Sequence, residues 1–427
     1  MTKRLYYDQP DLLEFDANVE EVKSVSGDGR GAGARPAIVL RETAFYPTSG
    51  GQVHDTGWIT LAGERLRVAE VAEAEDGRVI HYLEAPAGRP AAGARVHGSI
   101  DAERRRDHMQ QHTGQHVLSA AFLSLYQFPT VSFHMGEDYC SIDLAIESLN
   151  AAQVVGAEKR ANEIVFENRP VRIRHVKREE AEKLGLRKLP PEGRDELRLI
   201  EVADFDLSAC GGTHVGATGQ IGSILLRKTE KTRQGMRVEF VCGGRALCIA
   251  RRDYSTLSEA AALYSAQLGD VPEMIRKGFE ELKTIRRQRE DALEQLAGAM
   301  AEAALNIGRS GDRAIGSSAA TPDGNMGRRI ILRTFSDRDI NFAKLFAQKV
   351  SRAGLPAVAL VGSTLNPPGI VFAQSAGGAG DMGALLRQVL SSVGGRGGGS
   401  RDFAQGGVPA GVNVEQLLRQ AAGTIGN

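Results

Sequence analysis

The stretch His112-Thr113-Gly114-Gln115-His116-Val117-Leu118-Ser119-Ala120-Ala121-Phe122-Leu123-Ser124-Leu125 divides this chain into two kinds of pattern. Val117, Leu118, Ala120, Ala121, Phe122 and Leu125 recur at helical spacing, which predicts a long helix with an apolar face. Arg104, Arg105 and Arg106 are expected just before it, and the two histidines near its start. Residues i and i+4 project from one helix face, so His112 and His116 can grip one ion from a packed, rigid mount. A second cluster, Cys210-Gly211-Gly212-Thr213-His214, repeats that separation, and its glycines favour a tight turn that lets backbone approach a metal. Three imidazoles and one thiolate suit a tetrahedral Zn2+ ion. Either pair alone also suits two packed or surface histidines.

On the N-terminal side the pattern is β. Ala37-Ile38-Val39-Leu40, Arg65-Leu66-Arg67-Val68 and Arg78-Val79-Ile80-His81-Tyr82 are short apolar runs separated by turn residues such as Asp76-Gly77, which predicts a small barrel or sandwich. Within it, Phe45-Tyr46-Pro47-Thr48-Ser49-Gly50-Gly51-Gln52-Val53-His54 reads as an irregular loop of the kind that lines a site, or that merely turns a corner between strands. On the C-terminal side, strands are expected at Thr130 to His134, Tyr139 to Leu144, Val171 to Val176 and Leu197 to Val202. Helices are expected at Ala151 to Asn168 and Arg178 to Leu184. Helices packed on an antiparallel sheet make an α+β domain.

With 427 residues the chain is long for one core and predicts a multidomain protein. Its 53 basic and 53 acidic residues cancel, so no global field draws it to nucleic acid. Locally, Arg227, Lys228, Lys231, Arg233, Arg237, Arg245 and Arg251 face only Glu230 and Glu239, a cluster able to neutralise phosphates or to form a solvated strand pair. Four irregularly placed cysteines make no disulfide framework, and Cys140, Cys242 and Cys248 read as small apolar residues. No apolar leader and no run of about twenty apolar residues occurs, so a cytoplasmic protein without a membrane partner is expected.

The ordered set Phe45-Tyr46-Pro47-x-x-Gly50-Gly51-Gln52, His112-Thr113-x-x-His116 and Ala209-Cys210-Gly211-Gly212-Thr213-His214 resembles the editing domain of alanyl-tRNA synthetase and its freestanding relatives, the AlaX proteins, over roughly the first 250 residues. The later chain resembles the C-terminal part of the longer AlaX type. The resemblance implies an α+β multidomain protein: a small β-barrel-like domain over 1–98, an α+β zinc editing domain over 99–252, a long helical segment over 253–308, and a C-terminal α/β DHH-associated domain over 309–427. It implies a zinc-dependent deacylase that hydrolyses the ester of tRNA(Ala) mischarged with serine, or with glycine, and the synthetase likeness also carries nucleotide and ATP binding as an expectation. A class II aminoacylation domain does not fit before the editing unit, where only the small β domain stands.

The residues after Asp253 agree with the long form. Ile275, Phe279, Leu282, Ile285, Leu293, Leu296 and Met300 recur at helical intervals, interrupted by Arg289, and predict a long amphipathic helix that either packs within the monomer or forms a coiled-coil arm in a homodimer. A Gly/Ser/Ala-rich linker is expected near 310–327, then strand Arg329 to Arg333, helix Phe342 to Ala353 and strand Ala357 to Gly362. In Gly394-Gly395-Arg396-Gly397-Gly398-Gly399-Ser400-Arg401 the glycines free backbone N–H groups for a phosphate, with Arg396 and Arg401 adding charge; a ligand-free loop has the same composition.

Chemistry follows from the metal. A zinc ion can polarise an ester carbonyl, activate water or hold substrate. Thr113 stands where His-Glu-x-x-His proteases carry their base, which argues against peptide hydrolysis. An apolar synthetase pocket rejects an added hydroxyl by only about two orders of magnitude, whereas a site built to bond that hydroxyl discriminates further. The resemblance makes Thr113 the group that reads the serine side chain; Thr113 and Gln52 are the catalytic candidates, and Gly50 and Gly51 position substrate. Arg227, Lys228, Lys231, Arg233, Arg396 and Arg401 are the tRNA-contact candidates, and His54, His108, His134 and Asp206 are candidates to support ligands or relay protons. A non-catalytic zinc-stabilised tRNA-binding module and a zinc hydrolase of another ester or amide are the competing readings.

Overall fold

A computed structural model describes residues 1–25, 35–84, 91–187, 195–307 and 328–426. They form two compact units, Met1–Ala260 and Ala261–Asn427.

The first unit opens with strands β1 (Lys3–Arg4), β2 (Glu14–Val25), β3 (Arg35–Leu40), β4 (Glu42–Thr43), β5 (Gly57–Leu61), β6 (Glu64–Glu73), β7 (Val79–Glu84) and β8 (Arg95–Ile100). Six of them close into a barrel in the order β2-β3-β7-β6-β5-β8, while β1 pairs with β4. Alternation fills the barrel: Phe15, Ala17 and Val19 of β2 and Leu66 and Val68 of β6 point inward with Ile38, Leu40, Ile59 and Leu83. Closure leaves no open edge in that sheet.

Helix α1 (Ala102–Tyr126) follows directly, started by Asp101, whose carboxylate accepts the Arg104 N–H at 3.1 Å. Arg104, Arg105 and Arg106 therefore lie inside the helix rather than before it, and the two histidines sit mid-helix rather than near its start. Asp101 is a preferred N-cap residue, and Glu103 places an acid in the first turn, where the macrodipole favours it. Nearly every residue from His108 to Phe122 is buried, since α1 runs through the middle of its unit.

After α1 come β9 (Thr130–Met135), β10 (Cys140–Leu144), α2 (Ala151–Phe166), β11 (Val171–Lys177), α3 (Arg178–Ala181), β12 (Glu196–Val202), β13 (Asp206–Ala209), β14 (Ile224–Thr232) and β15 (Gly235–Cys242). One antiparallel sheet has the order β14-β15-β10-β9 and a second β11-β12-β13. A core of Val117, Leu118, Ala121 and Phe122 from α1, Ala157, Ala161 and Ile164 from α2, and Ile142, Val238 and Phe240 from the first sheet binds these layers. Strand β13 gave no sequence signal, being only Asp206–Ala209, yet it sets the direction of the Cys210 turn.

Helix α4 (Gly243–Leu263) leads to the second unit, which holds α5 (Val271–Ile307), β16 (Arg329–Phe335), α6 (Ile340–Ser351), β17 (Ala357–Ser363), β18 (Gly369–Gln374), α7 (Met382–Ser391), β19 (Arg396–Gly399), β20 (Phe403–Gly407) and α8 (Val414–Gly426). Its sheet runs β16-β17-β18-β20-β19, with only β16 and β17 parallel. Strand β17 is buried on both faces: Val358 and Leu360 meet α7 and α8, whereas Ala357, Ala359 and Val361 meet α5 and α6. The α5 stripe divides accordingly. Its C-terminal half packs through Ala297, Ala301 and Leu305, with Leu293 and Met300 partly covered, while Ile275, Phe279, Leu282 and Ile285 are exposed. The linker expected near 310–327 lies outside the described residues. The glycine-rich segment is a β-hairpin, its glycines paired from Arg396↔Gly407 to Gly399↔Ala404, so its backbone serves a sheet ladder instead of lying open as a loop.

Candidate metal centre

The structure brings His112, His116, Cys210 and His214 together: their ligand atoms all lie within 4.8 Å of one another. Cys210 Sγ is 3.4 Å from His112 Nε2 and 3.3 Å from His214 Nε2. Each imidazole turns Nε2 inward because its Nδ1 is engaged elsewhere. His112 Nδ1 meets Gln52 Oε1 at 2.7 Å, His116 Nδ1 meets Asp206 Oδ2 at 3.1 Å, and His214 Nδ1 meets Thr113 Oγ1 at 3.2 Å. Such outer partners fix tautomer and ring orientation at metal sites. This donor set is able to hold a metal ion.

The surrounding chain explains the convergence. Gln52 Oε1 also accepts the Thr213 N–H at 3.1 Å, and its amide donates to Thr213 Oγ1 at 2.9 Å, so one side chain joins the Phe45 loop to both ligand stretches. Gly212 is glycine for space: a Cβ there would lie 2.2 Å from the His112 ring. Gly51 has φ +86°, and a Cβ would lie 2.4 Å from the Phe133 carbonyl oxygen. That close approach lets the loop reach β9, where the Phe133 ring stacks on His112. Arg198 holds the Cys210 turn by donating to the Cys210 carbonyl at 2.7 Å and to the Tyr7 carbonyl at 2.8 Å.

Electrostatics favour the thiolate. Burial by itself would push the Cys210 thiol up, but the adjacent His112, with hydrogen bonds from His112 and His116, brings it well below the ordinary range. Burial pushes His214 down to about 3, which keeps it neutral and free to ligate. Asp206 is buried too, yet its bond to His116 and the Arg187 charge hold its carboxyl far below the usual range.

A cavity of about 160 Å³ opens beside the donors, walled by Gly50, His112, Gln115, His116, Phe133, Arg187, Ser208 and Cys210 among others. Of the residues singled out in sequence, Gly50 and the ligands His112, His116 and Cys210 reach that wall. Thr113 and Gln52 are wholly buried behind the ligands. Thr113 accepts the Val215 N–H at 3.1 Å besides meeting His214, and it is not among the residues of the cavity wall. Gln115, Ser132 and Arg187 line the cavity without having been marked; Gln115 was legible, since it stands one residue before His116. His134 is exposed beside Asp143, His54 bonds Thr48, and His108 is buried, so Asp206 alone of the four supporting candidates bonds a ligand.

The basic candidates divide. Arg227 pairs with Asp253, Lys228 with Glu230, Arg237 with Asp143 and Arg245 with Asp107. Lys231 and Arg233, at the β14–β15 turn, have no ion pair among the described residues. In the second unit Arg401 donates weakly to the Gly378 and Gly380 carbonyls and Arg396 is exposed. Among the described residues no helix is long and apolar enough to cross a membrane.

The chain is similar to known proteins along most of its length. Residues 2–104 match the family model of class II (A) tRNA synthetases, and residues 197–238 match that of the threonyl and alanyl tRNA synthetase second additional domain. The alanyl-tRNA editing protein AlaX-L of Pyrococcus horikoshii is 30% identical over 416 residues, covering 96% of this chain and 95% of its own. An alanine–tRNA ligase of Archaeoglobus fulgidus is 29% identical over 98% of this chain, which spans 43% of that ligase. A crystal structure of the C-Ala domain from Aquifex aeolicus alanyl-tRNA synthetase aligns with 23% of this chain and 91% of its own, at 18% identity and a TM-score of 0.22.

Proposed function

The chain belongs to the family of the alanyl-tRNA editing protein AlaX-L, and on that premise we propose that it is a zinc-dependent deacylase acting in trans on tRNA(Ala) mischarged with serine or glycine. The observation that carries this reading is the convergence of one thiol and three imidazoles, drawn from two stretches about a hundred residues apart, beside a cavity. Ligands on one tetrahedral zinc ion stand roughly 3.5 Å apart, given Zn–N and Zn–S bonds of about 2.0 and 2.3 Å. The two Sγ–Nε2 separations of 3.4 and 3.3 Å fit that spacing. Bound there, zinc would supply Lewis-acid polarisation of the ester carbonyl or an activated water.

The chain's own residues do the rest. Gln52, Asp206 and Thr113 orient the imidazoles, Gly50 forms part of the cavity wall, and the cavity volume of about 160 Å³ supports a small aminoacyl group as its occupant. Lys231 and Arg233, free of carboxylate partners among the described residues, are better placed than Arg227 and Lys228 to neutralise tRNA phosphates. The second unit is read as the DHH-associated domain, with Arg396 and Arg401 as further tRNA contacts. A homodimer through the exposed Ile275, Phe279, Leu282 and Ile285 belongs to the same reading. ATP has no part in it, because ester hydrolysis needs no nucleotide.

The test is deacylation by the purified zinc-loaded protein. Serine and glycine are released from tRNA(Ala), and correctly attached alanine is spared. Salt-dependent tRNA binding without turnover would favour a binding module; turnover of simple esters with Ser-tRNA(Ala) untouched would favour another hydrolase.

A further inference from the structure

Resting on the deacylase reading, we propose that Arg187 stabilises the oxyanion formed when the aminoacyl ester is attacked. Arg187 follows α3 and is tied to β13 by its backbone N–H, which donates to the Leu207 carbonyl at 3.0 Å. Its Nε donates to Asp206 Oδ1 at 2.7 Å and its Nη2 to Asp206 Oδ2 at 3.3 Å. The oxygen Oδ2 also meets His116 Nδ1, so the guanidinium and a metal-ligating imidazole share one carboxylate atom. That carboxylate is 1% exposed, whereas the Arg187 side chain retains 14% and forms part of the cavity wall with His112, His116 and Cys210.

Among the described residues Arg187 is the one Lys or Arg on that wall, and no described Asp or Glu reaches it. Its Nη1 bonds no described residue. The wall thus presents a permanently charged, rigidly held donor to a space whose polar groups, apart from the metal donors His112, His116 and Cys210, are the neutral Gln115, Thr130, Ser132 and Ser208. Such a donor is matched to an anion. The aminoacyl ester is neutral at its carbonyl in the ground state. When water adds, a new C–O bond forms, the C=O π pair moves onto oxygen as an oxyanion, and water's proton leaves. The pair then returns, the bond to the ribose oxygen breaks, and that oxygen takes up a proton. Negative charge on the carbonyl oxygen exists only between those two events, where a donor fixed beforehand contributes most.

A role limited to propping Asp206 against His116 makes different predictions. The full-length zinc-loaded protein is compared with Arg187→Gln, Arg187→Lys and Arg187→Ala in single-turnover deacylation of Ser-tRNA(Ala), with zinc content by elemental analysis and tRNA affinity by filter binding. The Gln variant is expected to lose about 10²- to 10³-fold in rate, with zinc content and tRNA affinity unchanged. Guanidinium added to the Ala variant should restore part of the rate, and Lys should fall between Gln and wild type. Wild-type rates in Arg187→Gln, or a rate loss that follows zinc loss and is cured by excess zinc, would overturn the proposal while leaving the deacylase reading intact. A wild-type protein that turns over neither Ser- nor Gly-tRNA(Ala) removes both.

Discussion

At the scale of single residues, the centre depends on three hydrogen bonds as much as on four donors. Gln52, Asp206 and Thr113 each engage the Nδ1 of one histidine, and a free imidazole would otherwise divide its metal-binding lone pair between two tautomers. Cys210→Ala and His116→Ala are expected to abolish stoichiometric zinc, because each removes a donor outright. Thr113→Val and Gln52→Ala should keep zinc at saturation but bind it about 10- to 100-fold more weakly. Chelator competition reads the difference, and an unchanged affinity in Thr113→Val would return that hydroxyl to the role of direct serine reader. The donors were legible because each pair is local, four residues apart. Their partners were less so: Gln52 lies 60 residues from His112 and Asp206 90 from His116, separations that no spacing rule connects.

The irregular Phe45 loop is an element whose composition announced a turn but not what would hold it. Two buried devices do so. Arg105, 1% exposed, meets Asp55 at 3.1 Å and donates to the Ala44 and Pro10 carbonyls, while Asp55 accepts the Tyr46 N–H at 2.6 Å. Fully bonded, this pair avoids the penalty of an uncompensated buried charge. Thr43 accepts the Phe45 N–H at 3.1 Å and donates to His81 Nε2, whose opposite nitrogen donates to the Ile38 carbonyl. These contacts suit a neutral imidazole, and burial pushes the His81 pKa down to about 4 from 6.5. Between those values the unfolded chain binds the additional proton, so stability is complete above the unfolded value and falls as pH drops towards the folded one, by up to about 3 kcal/mol. Denaturant melts of wild type and His81→Gln at neutral and mildly acid pH check this: wild type should lose more stability on acidification, and parallel losses would rule the histidine out. Of the six barrel strands, β3, β6 and β7 were readable as short apolar runs bounded by turn residues. The β19–β20 hairpin was not, because glycine carries no alternating side chain to mark a strand.

Across the whole molecule, the proposed chemistry falls to one unit and the proposed tRNA contacts of the glycine-rich hairpin to the other. All four metal donors, their Nδ1 partners and every residue of the adjoining cavity belong to Met1–Ala260, which has its own cores in the barrel and around α1. The second unit is a sheet covered by helices on both faces, with Arg396 and Arg401 on its glycine-rich hairpin. The period of the α5 stripe was clear in sequence, but its partners were not. Its C-terminal half packs through Ala297 and Ala301, residues too small to stand out in a hydrophobic count, and the prominent Ile275 and Phe279 remain exposed. A chain ending at Leu263, the last residue of α4, tests the division. It is expected to retain zinc and to deacylate a seryl minihelix of the acceptor stem at the full-length rate, since nothing on the cavity wall is removed. Its KM for intact Ser-tRNA(Ala) should rise, because phosphate contacts outside the cavity contribute affinity without touching the reacting ester. Steady-state kinetics on both substrates decide: an unchanged KM for intact tRNA would mean the second unit does not hold it, and a lost minihelix rate with zinc still bound would mean that unit acts on the chemistry itself.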